Sequence, residues 1–284
     1  MSLNIQTIDQ LYSSAREYAI SDDLDNAGKC LEQIKERIQS EIATSSRWYF
    51  IRNIENIYGA KKELFFLDYG CGGGQTVVYL HLMGFKNVYG IDIAPQDVNN
   101  KLLKLLGVRE DCCLQYDGTT MVFEENKFDF VFSEQVLEHV HEIEAYYKEA
   151  SRVMKSGAMA FFSFPHRMIP YDSHGRTWFI HMLPRQMAFF FYRILSRDVE
   201  YLDQIMNFQT ISYHKKIATK YFCDIKNIAS ERIKNFSEDD LRRYKGNKTL
   251  RKVVDVMVKN KTFGPIALAL LSNLAMADLV MRKK

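Results

Sequence analysis

The chain has 284 residues, 47% hydrophobic and 26% charged, with 14 glycines and 5 prolines. These proportions exclude a disordered or collagen-like chain and allow one large domain or two small ones around a sizeable core. With 38 basic and 35 acidic residues the formal charge is +3 and the signs interleave, so composition does not call for DNA, RNA or an anionic membrane.

To about Gly59 the sequence reads as helical. Leu11, Ala15, Tyr18 and Ala19 recur at helical spacing, as do Cys30, Leu31, Ile34, Ile38 and Ile42. Between them, Ser21-Asp22-Asp23 can cap a second helix. The spacing changes at Leu64-Phe65-Phe66-Leu67, an apolar run suited to a strand buried on both faces of a parallel sheet. Thr76–Met83 is expected to be a helix and Asn87–Ile93 a second strand. Val98–Leu106 reads as a helix with Pro95 suited to its first position and Gly107 as its stop. Cys113–Tyr116, Phe128–Phe132 and Ala158–Phe164 read as the next strands, with a helix over Ile143–Met154. This alternation points to an α/β fold with right-handed crossovers. After Pro165 it stops, and His166 to about Gln209 is aromatic-rich with no clear strand. A helix over Tyr213–Tyr221, a strand in Phe222–Ile228, a lysine-rich polar helical stretch and a last strand over Ala275–Met281 complete the expectation.

The five cysteines include no CxxC pair, which argues against structural zinc or a disulfide framework and for a cytoplasmic setting. Met1–Gln10 has no leader pattern. Phe263–Met281 is apolar, but Pro265, Ser272, Asn273 and Asp278 interrupt it, so no transmembrane segment is expected. The basic stretch Arg242-Arg243-Tyr244-Lys245, continued by Arg251-Lys252, follows Ser237-Glu238-Asp239-Asp240 and reads as a solvated helix face.

The most informative segment is Asp68-Tyr69-Gly70-Cys71-Gly72-Gly73-Gly74. Glycine is required where a chain turns sharply out of a strand and where backbone must touch a ligand. The helix that follows offers free N–H groups and the positive end of its dipole. Asp92 ends the next strand, where a carboxylate can accept both hydroxyl hydrogens of a ribose. A dinucleotide fingerprint would require glycine at position 75, which is Gln75.

The G-x-G-x-G spacing and Asp68 instead resemble motif I of the class I S-adenosylmethionine (SAM)-dependent methyltransferases. Tyr116-Asp117-Gly118 resembles that family's adenine-contacting element. The run from Phe128 to Val140, containing Ser133-Glu134 and Leu137-Glu138-His139, is similar to the fourth-strand motif of its small-molecule, ubiquinone-biosynthesis-like branch. Arg152–Ala158 is similar to the family's entry into the fifth strand, with Ala158 replacing a second glycine.

The resemblance implies a Rossmann-like, mostly parallel seven-stranded sheet with helices on both faces and an antiparallel last strand. It also implies a methyltransferase domain over 60–284, a helical extension over 1–59, and an acceptor insertion over about 166–209. SAM is the implied cofactor. Gly70, Cys71, Gly72 and Gly74 would form the loop against it, Asp68 would attract its ammonium group, and Asp92 would hold the ribose. Ile93 would pack on the adenine, Asp117 and Gly118 would bond its edge, and Ser133 and Glu134 would lie near the methionine end. Asp117 has an alternative as a turn-stabilising residue, and Ile93 one as ordinary core.

The expected reaction moves a methyl group to a small-molecule acceptor, with oxygen the first choice, in a glycan, lipid precursor or other metabolite. Such a displacement needs alignment and exclusion of water, and a base only for a weakly acidic acceptor. His166, His174 and His181 are the candidate bases, and a structural role is preferred for His139. No metal is expected. For Cys71, backbone contact or packing is preferred over nucleophilic catalysis. The run Phe189-Phe190-Phe191-Tyr192 is expected to be core rather than a surface for an apolar acceptor or lipid. Two other readings stay open: a nicotinamide-dependent oxidoreductase, and a SAM-binding protein without turnover.

Overall fold

The computed structural model describes residues 7–42, 62–108, 111–172, 175–200, 202, 207–234, 248–260 and 262–284. His174 and the first part of the basic stretch, Arg242 to Lys245, lie outside those residues, as does the end of the expected N-terminal helical region. The chain divides into two compact units, Met1–Phe132 with Val153–Lys155, and Ser133–Arg152 with Ser156–Lys284.

The first unit opens with α1 (Ile8–Ile20) and α2 (Leu24–Ile42). Thr7 caps α1 through a reciprocal pair of bonds with Gln10. Asp23 accepts from the Asn26 N–H at the start of α2, as the Ser-Asp-Asp signal predicts. Ala15, Ala19, Ala27, Leu31 and Ile34 are fully buried, and the three alanines let the two helices pack closely around the larger Leu31 and Ile34. The β–α alternation follows: β1 (Phe65–Tyr69), α3 (Gln75–Leu82), β2 (Asn87–Asp92), α4 (Asp97–Leu105), β3 (Cys113–Gln115) and β4 (Phe128–Glu134). Pro95 is not the first residue of α4. Gln96 takes the cap position and turns its side chain inward to the glycine loop. Beyond α4, Gly107 has φ of 81°, and the Gly107 and Val108 amides close back on Lys104 and Leu103.

The second unit contains α5 (Ile143–Val153) up to Arg152, and most of β5 (Met154–Phe164). That strand starts four residues before the expected Ala158, with Gly157 at φ of 74° near its beginning. The segment after Pro165, expected to have no strand, contains a two-residue ribbon, β6 (Tyr171–Asp172) and β7 (Thr177–Trp178), and the helix α6 (Arg185–Ile194). Strands this short leave no alternation to read. The aromatic run is not uniformly core: Ala188 and Tyr192 face inward one turn apart, while Phe190 and Phe191 are exposed. The rest is α7 (Ile211–Ala218), β8 (Phe222–Asn227), α8 (Ala229–Lys234), α9 (Lys248–Lys259), α10 (Gly264–Ser272) and β9 (Ala277–Lys283).

Seven strands form one sheet in the order β3-β2-β1-β4-β5-β9-β8. The pairs β1–β2, β1–β4 and β2–β3 are parallel, while β9 is antiparallel to both β5 and β8. The order reverses between β1 and β4, and in open α/β sheets that switch point, at the carboxyl ends of the strands, is where ligands bind. No helix of the described residues is long and apolar enough to cross a membrane.

Candidate functional site

In the first unit the glycine loop leaves the carboxyl end of β1. The amides of Gly70 and Cys71 both donate to the Ile91 carbonyl, at 2.8 and 3.1 Å, which ties the turn to the end of β2. Gly70, Gly72 and Gly74 all have positive φ (87°, 47° and 72°), a region that favours glycine. A Cβ on Gly74 would come within 2.6 Å of Asn99 Cγ, whereas one on Gly72 would project into open space. At Gly74 glycine is therefore needed for packing. At Gly72 the bare backbone leaves room for a ligand.

Side chains hold the loop from behind. Gly72 O accepts from Asn99 Nδ2 at 3.0 Å, and Gly73 O accepts from Tyr12 Oη and Arg16 Nη1, each at 2.6 Å. Arg16 also bonds Asn99 Oδ1. Helix α1 thus belongs to the same support as the loop. Sequence reading missed Tyr12, Arg16, Gln96 and Asn99. For Gln96 and Asn99 the signal was a polar pair three apart on the inward face of α4, and for Tyr12 and Arg16 there was none.

Asp92 ends β2 with one oxygen accepting the Gly72 N–H at 2.7 Å and the other the Ala94 N–H at 2.9 Å. Each carboxylate oxygen has a second lone pair, so both can still receive a hydroxyl. Ile93 is not core: it is 66% exposed and its Cγ2 lies beside Gly118, whose φ is 85°. Asp117 forms the alternative turn, with Oδ1 accepting from Thr119 N, Thr119 Oγ1 and Thr120 N. The Thr119 hydroxyl, followed by these amides, holds its carboxyl below the usual range. Asp68 is buried at the end of β1. Cys71 turns its thiol inward, where a Cβ on Gly90 would come within 2.7 Å of its sulfur. A hydrogen bond with Cys113 and burial push that thiol well above its ordinary range, which leaves no thiolate to attack anything. An open glycine backbone, a paired carboxylate with spare lone pairs and an exposed apolar platform suit a ribosyl cofactor.

The second unit holds Ser133, Glu134 and the histidines. The buried Ser133 hydroxyl lies 2.8 Å from Tyr146 Oη. His166 has both ring nitrogens engaged, Nδ1 by the Met168 N–H at 3.2 Å and Nε2 against the Ala275 carbonyl at 2.8 Å. Burial lowers its pKa. His214, which sequence reading passed over, lies 3.3 Å from Tyr147 Oη and has its pKa lowered by burial to about 3.

His181 differs from both. It is buried with its ring centroid 3.6 Å from that of Phe208, and its Nε2 lies 3.3 Å from Asp172 Oδ2, off-line for a formal hydrogen bond. The same oxygen accepts from Tyr192 Oη at 3.0 Å. Burial pushes the Tyr192 phenol up to about 12, so it stays a donor. A Cβ on Gly175 would fall 1.7 Å from Tyr192 Oη, so this cluster needs glycine there. His181 and Asp172 line a cavity of about 120 Å³ with Gln135, Tyr171, Phe208 and Met276. With its proton on Nε2, toward the carboxylate, His181 keeps a lone pair on Nδ1 that can accept.

Glu138, next to His139, was also missed. Its carboxylate is buried with neither oxygen bonded to another residue, and burial raises its pKa to about 8. Among the described residues no three His, Cys, Asp or Glu side chains come together as a metal site would require.

Residues 67–162 match the family model described as a methyltransferase domain. Norajmaline N-methyltransferase of Rauvolfia serpentina is 30% identical over 118 residues, 39% of this chain and 40% of the relative. Ubiquinone biosynthesis O-methyltransferase of Pelagibacter ubique is 28% identical over 102 residues, 35% of this chain and 41% of the relative. The match thus spans about two fifths of these relatives' length. In fold, the chain is similar to a SAM-dependent methyltransferase structure from Mesorhizobium loti, with a TM-score of 0.50 at 14% identity over 85% of this chain and 99% of the other. Residues 67–162 thus match a methyltransferase domain, and the strand order with this structural likeness gives the chain the fold of the class I SAM-dependent methyltransferases.

Proposed function

We propose that the protein transfers a methyl group from SAM to an oxygen of a small-molecule acceptor, in a glycan, lipid precursor or other metabolite, with His181 taking the acceptor's proton. The observation that carries the choice of oxygen is His181 beside Asp172 in its own cavity. A hydroxyl is a poor nucleophile until a base removes its proton, whereas a neutral amine needs none. The cavity's volume compares with the about 150 Å³ space that admits benzene, so it suits one ring of an acceptor. The two curated relatives are named as an O- and an N-methyltransferase, and the former supports the reading.

SAM supplies an electrophilic methyl on a sulfonium, which already contains its leaving group. The chain's own residues then bind, align and take a proton. Gly70 and Gly72 let backbone approach, and Asp68 attracts the ammonium. Asp92 accepts the ribose hydroxyls, Ile93 covers an adenine face, and Asp117 Oδ2 with the Gly118 N–H reads its edge. Ser133 and Glu134 attend the methionine end. Asp172 steadies the positive charge that His181 acquires.

The test is single-turnover transfer of labelled methyl to matched hydroxyl and amine acceptors of one-ring size between pH 6 and 9. Methylated oxygen, with a rate that rises as a single base deprotonates, is the expected result. Transfer to nitrogen or carbon alone, or tight SAM binding with no transfer to any acceptor, overturns it.

A further inference from the structure

A second cavity adjoins that of His181 within the same unit. His181 and Phe208, with ring centroids 3.6 Å apart, line both, so their rings form a shared wall. The cavities measure about 120 and 180 Å³, and together they reach the about 300 Å³ at which small-molecule sites begin. They differ in charge. The first contains the Asp172 carboxylate, 3.3 Å from His181 Nε2. The second is lined by Arg167 and Arg185 with the side-chain amides of Asn207 and Gln209, and among the described residues no acidic side chain lines it.

Arg167 is exposed, yet it is held in place. Its backbone N–H donates to Gln209 O at 3.0 Å and its Nε to His181 O at 3.1 Å, while Nη2 lies 3.5 Å from Leu183 O. These contacts anchor one side of the planar guanidinium. Among the described residues its Nη1 donates to nothing. A guanidinium anchored along one side, with the end of its fork open, is preorganised for a carboxylate or phosphate. Arg185 opens α6, and Ala188 in the first turn of that helix lines the same cavity. The positive end of the helix dipole therefore adds to the two cations.

We propose that the methyl acceptor contains an anionic group, a phosphate or a carboxylate, which Arg167 and Arg185 bind in the second cavity while the acceptor's hydroxyl meets His181 in the first. The proposal rests on the reading of His181 as the acceptor's base. Charge orders the two ends of the acceptor. The Asp172 carboxylate repels an anion from the first cavity, and the two guanidinium groups draw it into the second. A cationic group would be repelled there, and an apolar one would cover the open Arg167 donors without pairing them. Whole-chain composition conceals the feature, because two arginines among 38 basic residues leave no mark on the total.

The test is calorimetric titration of the full chain, saturated with S-adenosylhomocysteine to prevent turnover, with phenol, phenyl phosphate, benzoate and inorganic phosphate. Phenyl phosphate, benzoate or both should bind at least about tenfold more tightly than phenol, and the tighter of the two identifies the anion. Arg185→Gln should lower that affinity by about tenfold or more, with melting temperature and SAM affinity kept. Arg167→Gln should act in the same direction, and Arg167→Lys, which keeps the charge and loses the fork, should fall between it and the parent. The proposal is overturned if neither anion binds more tightly than phenol, or if both glutamine variants bind phenyl phosphate as the parent does. Inorganic phosphate bound as tightly as phenyl phosphate also overturns it, since the anion would then sit apart from the acceptor's ring. The readout is binding, so it separates from the reading beneath it. The expected preference in a chain that methylates only nitrogen breaks the choice of oxygen and keeps the anion subsite. Transfer to neutral hydroxyls with no such preference breaks this proposal alone.

Discussion

The glycine loop of the first unit and the His181 pocket of the second build their sites from different materials. In the loop the proposed binding groups are backbone amides, an α-carbon without a side chain and the Asp92 carboxylate, and Tyr12, Arg16, Gln96 and Asn99 hold the loop in place. In the pocket the proposed working groups are side chains, His181, Asp172 and Tyr192, held by one another and by a glycine that makes room for them. A backbone site tolerates change in most surrounding residues but depends on geometry. A side-chain site concentrates its chemistry in a few atoms, and a single truncation can remove it. The difference predicts where substitutions should act and on which quantity.

The sharpest separation comes from His181→Ala. If His181 is the base, the chemical step should slow by about 10²–10⁴-fold. SAM affinity should change by less than about 1 kcal/mol, since His181 has no part in the proposed cofactor contacts. Asp172→Asn should slow transfer less and shift the pH dependence of the step, since it removes the charge beside Nε2. Single-turnover rates over a pH series, with calorimetric SAM titrations on the same samples, measure both quantities. Unchanged rates in the His181 variant would mean that alignment alone suffices.

Asp92→Ala makes the converse break. It removes acceptors for two ribose hydroxyls and also frees the Gly72 and Ala94 amides. Charged hydrogen bonds are worth about 1.5–3 kcal/mol each, and water replaces part of that, so SAM affinity should fall by about 2–4 kcal/mol. The methyl-transfer rate at saturating SAM should be affected far less. Calorimetry that finds full affinity sinks the ribose assignment.

Glu138 gives an effect on stability. Its folded pKa of about 8 lies above the ordinary carboxylate value, so between those two values the folded chain holds a proton that the unfolded chain has lost. Stability from this group is therefore present below the unfolded value and falls as pH rises toward 8. Glu138→Gln keeps the neutral shape at every pH. At pH 9 the variant should be more stable than the parent by about 3–5 kcal/mol, and at pH 5 the two should differ by less than about 1 kcal/mol. Denaturant melts at both pH values read this directly, and parallel curves would place Glu138 in a wetter setting.

The first unit was largely legible because its demands fall on residue types with few substitutes. A strand of four apolar residues, a turn that needs positive φ, and a carboxylate at the next strand end leave marks that spacing alone reveals. The second unit was legible in its strands and illegible in its site. Two-residue strands show no alternation, and Asp172, His181 and Tyr192 meet through a ribbon, a 3₁₀ turn and a helix whose register the sequence does not announce. His166 and His181 looked equivalent as a pair of histidines after β5. In the structure two hydrogen bonds occupy the ring nitrogens of His166, whereas His181 lines a cavity. Glu138 was hidden for another reason: a carboxylate in a polar-looking motif gives no sign that it is buried with neither oxygen hydrogen-bonded among the described residues and with His139 Nε2, at 3.9 Å, beside it.

The smallest expected effect concerns how the loop is held. Tyr12 Oη and Arg16 Nη1 both donate to Gly73 O, one residue from the Gly72 amide that Asp92 fixes. Tyr12→Phe removes one donor and leaves the ring against Tyr79, edge to face at 5.5 Å. Gly73 O keeps the guanidinium, so the loss should be that of one net hydrogen bond, about 0.5–1.5 kcal/mol of stability. SAM affinity should fall by less, because the loop retains its positive-φ glycines and the Asp92 contact. Arg16→Gln should act in the same direction, and the two together should cost more than the sum, since the carbonyl then loses both donors while buried partners remain in place. A double-mutant cycle read by SAM titration decides the point. A non-zero coupling in affinity means that α1 preorganises the cofactor loop. Coupling in melting temperature alone means that the N-terminal helices support the fold and leave binding to the loop's own backbone.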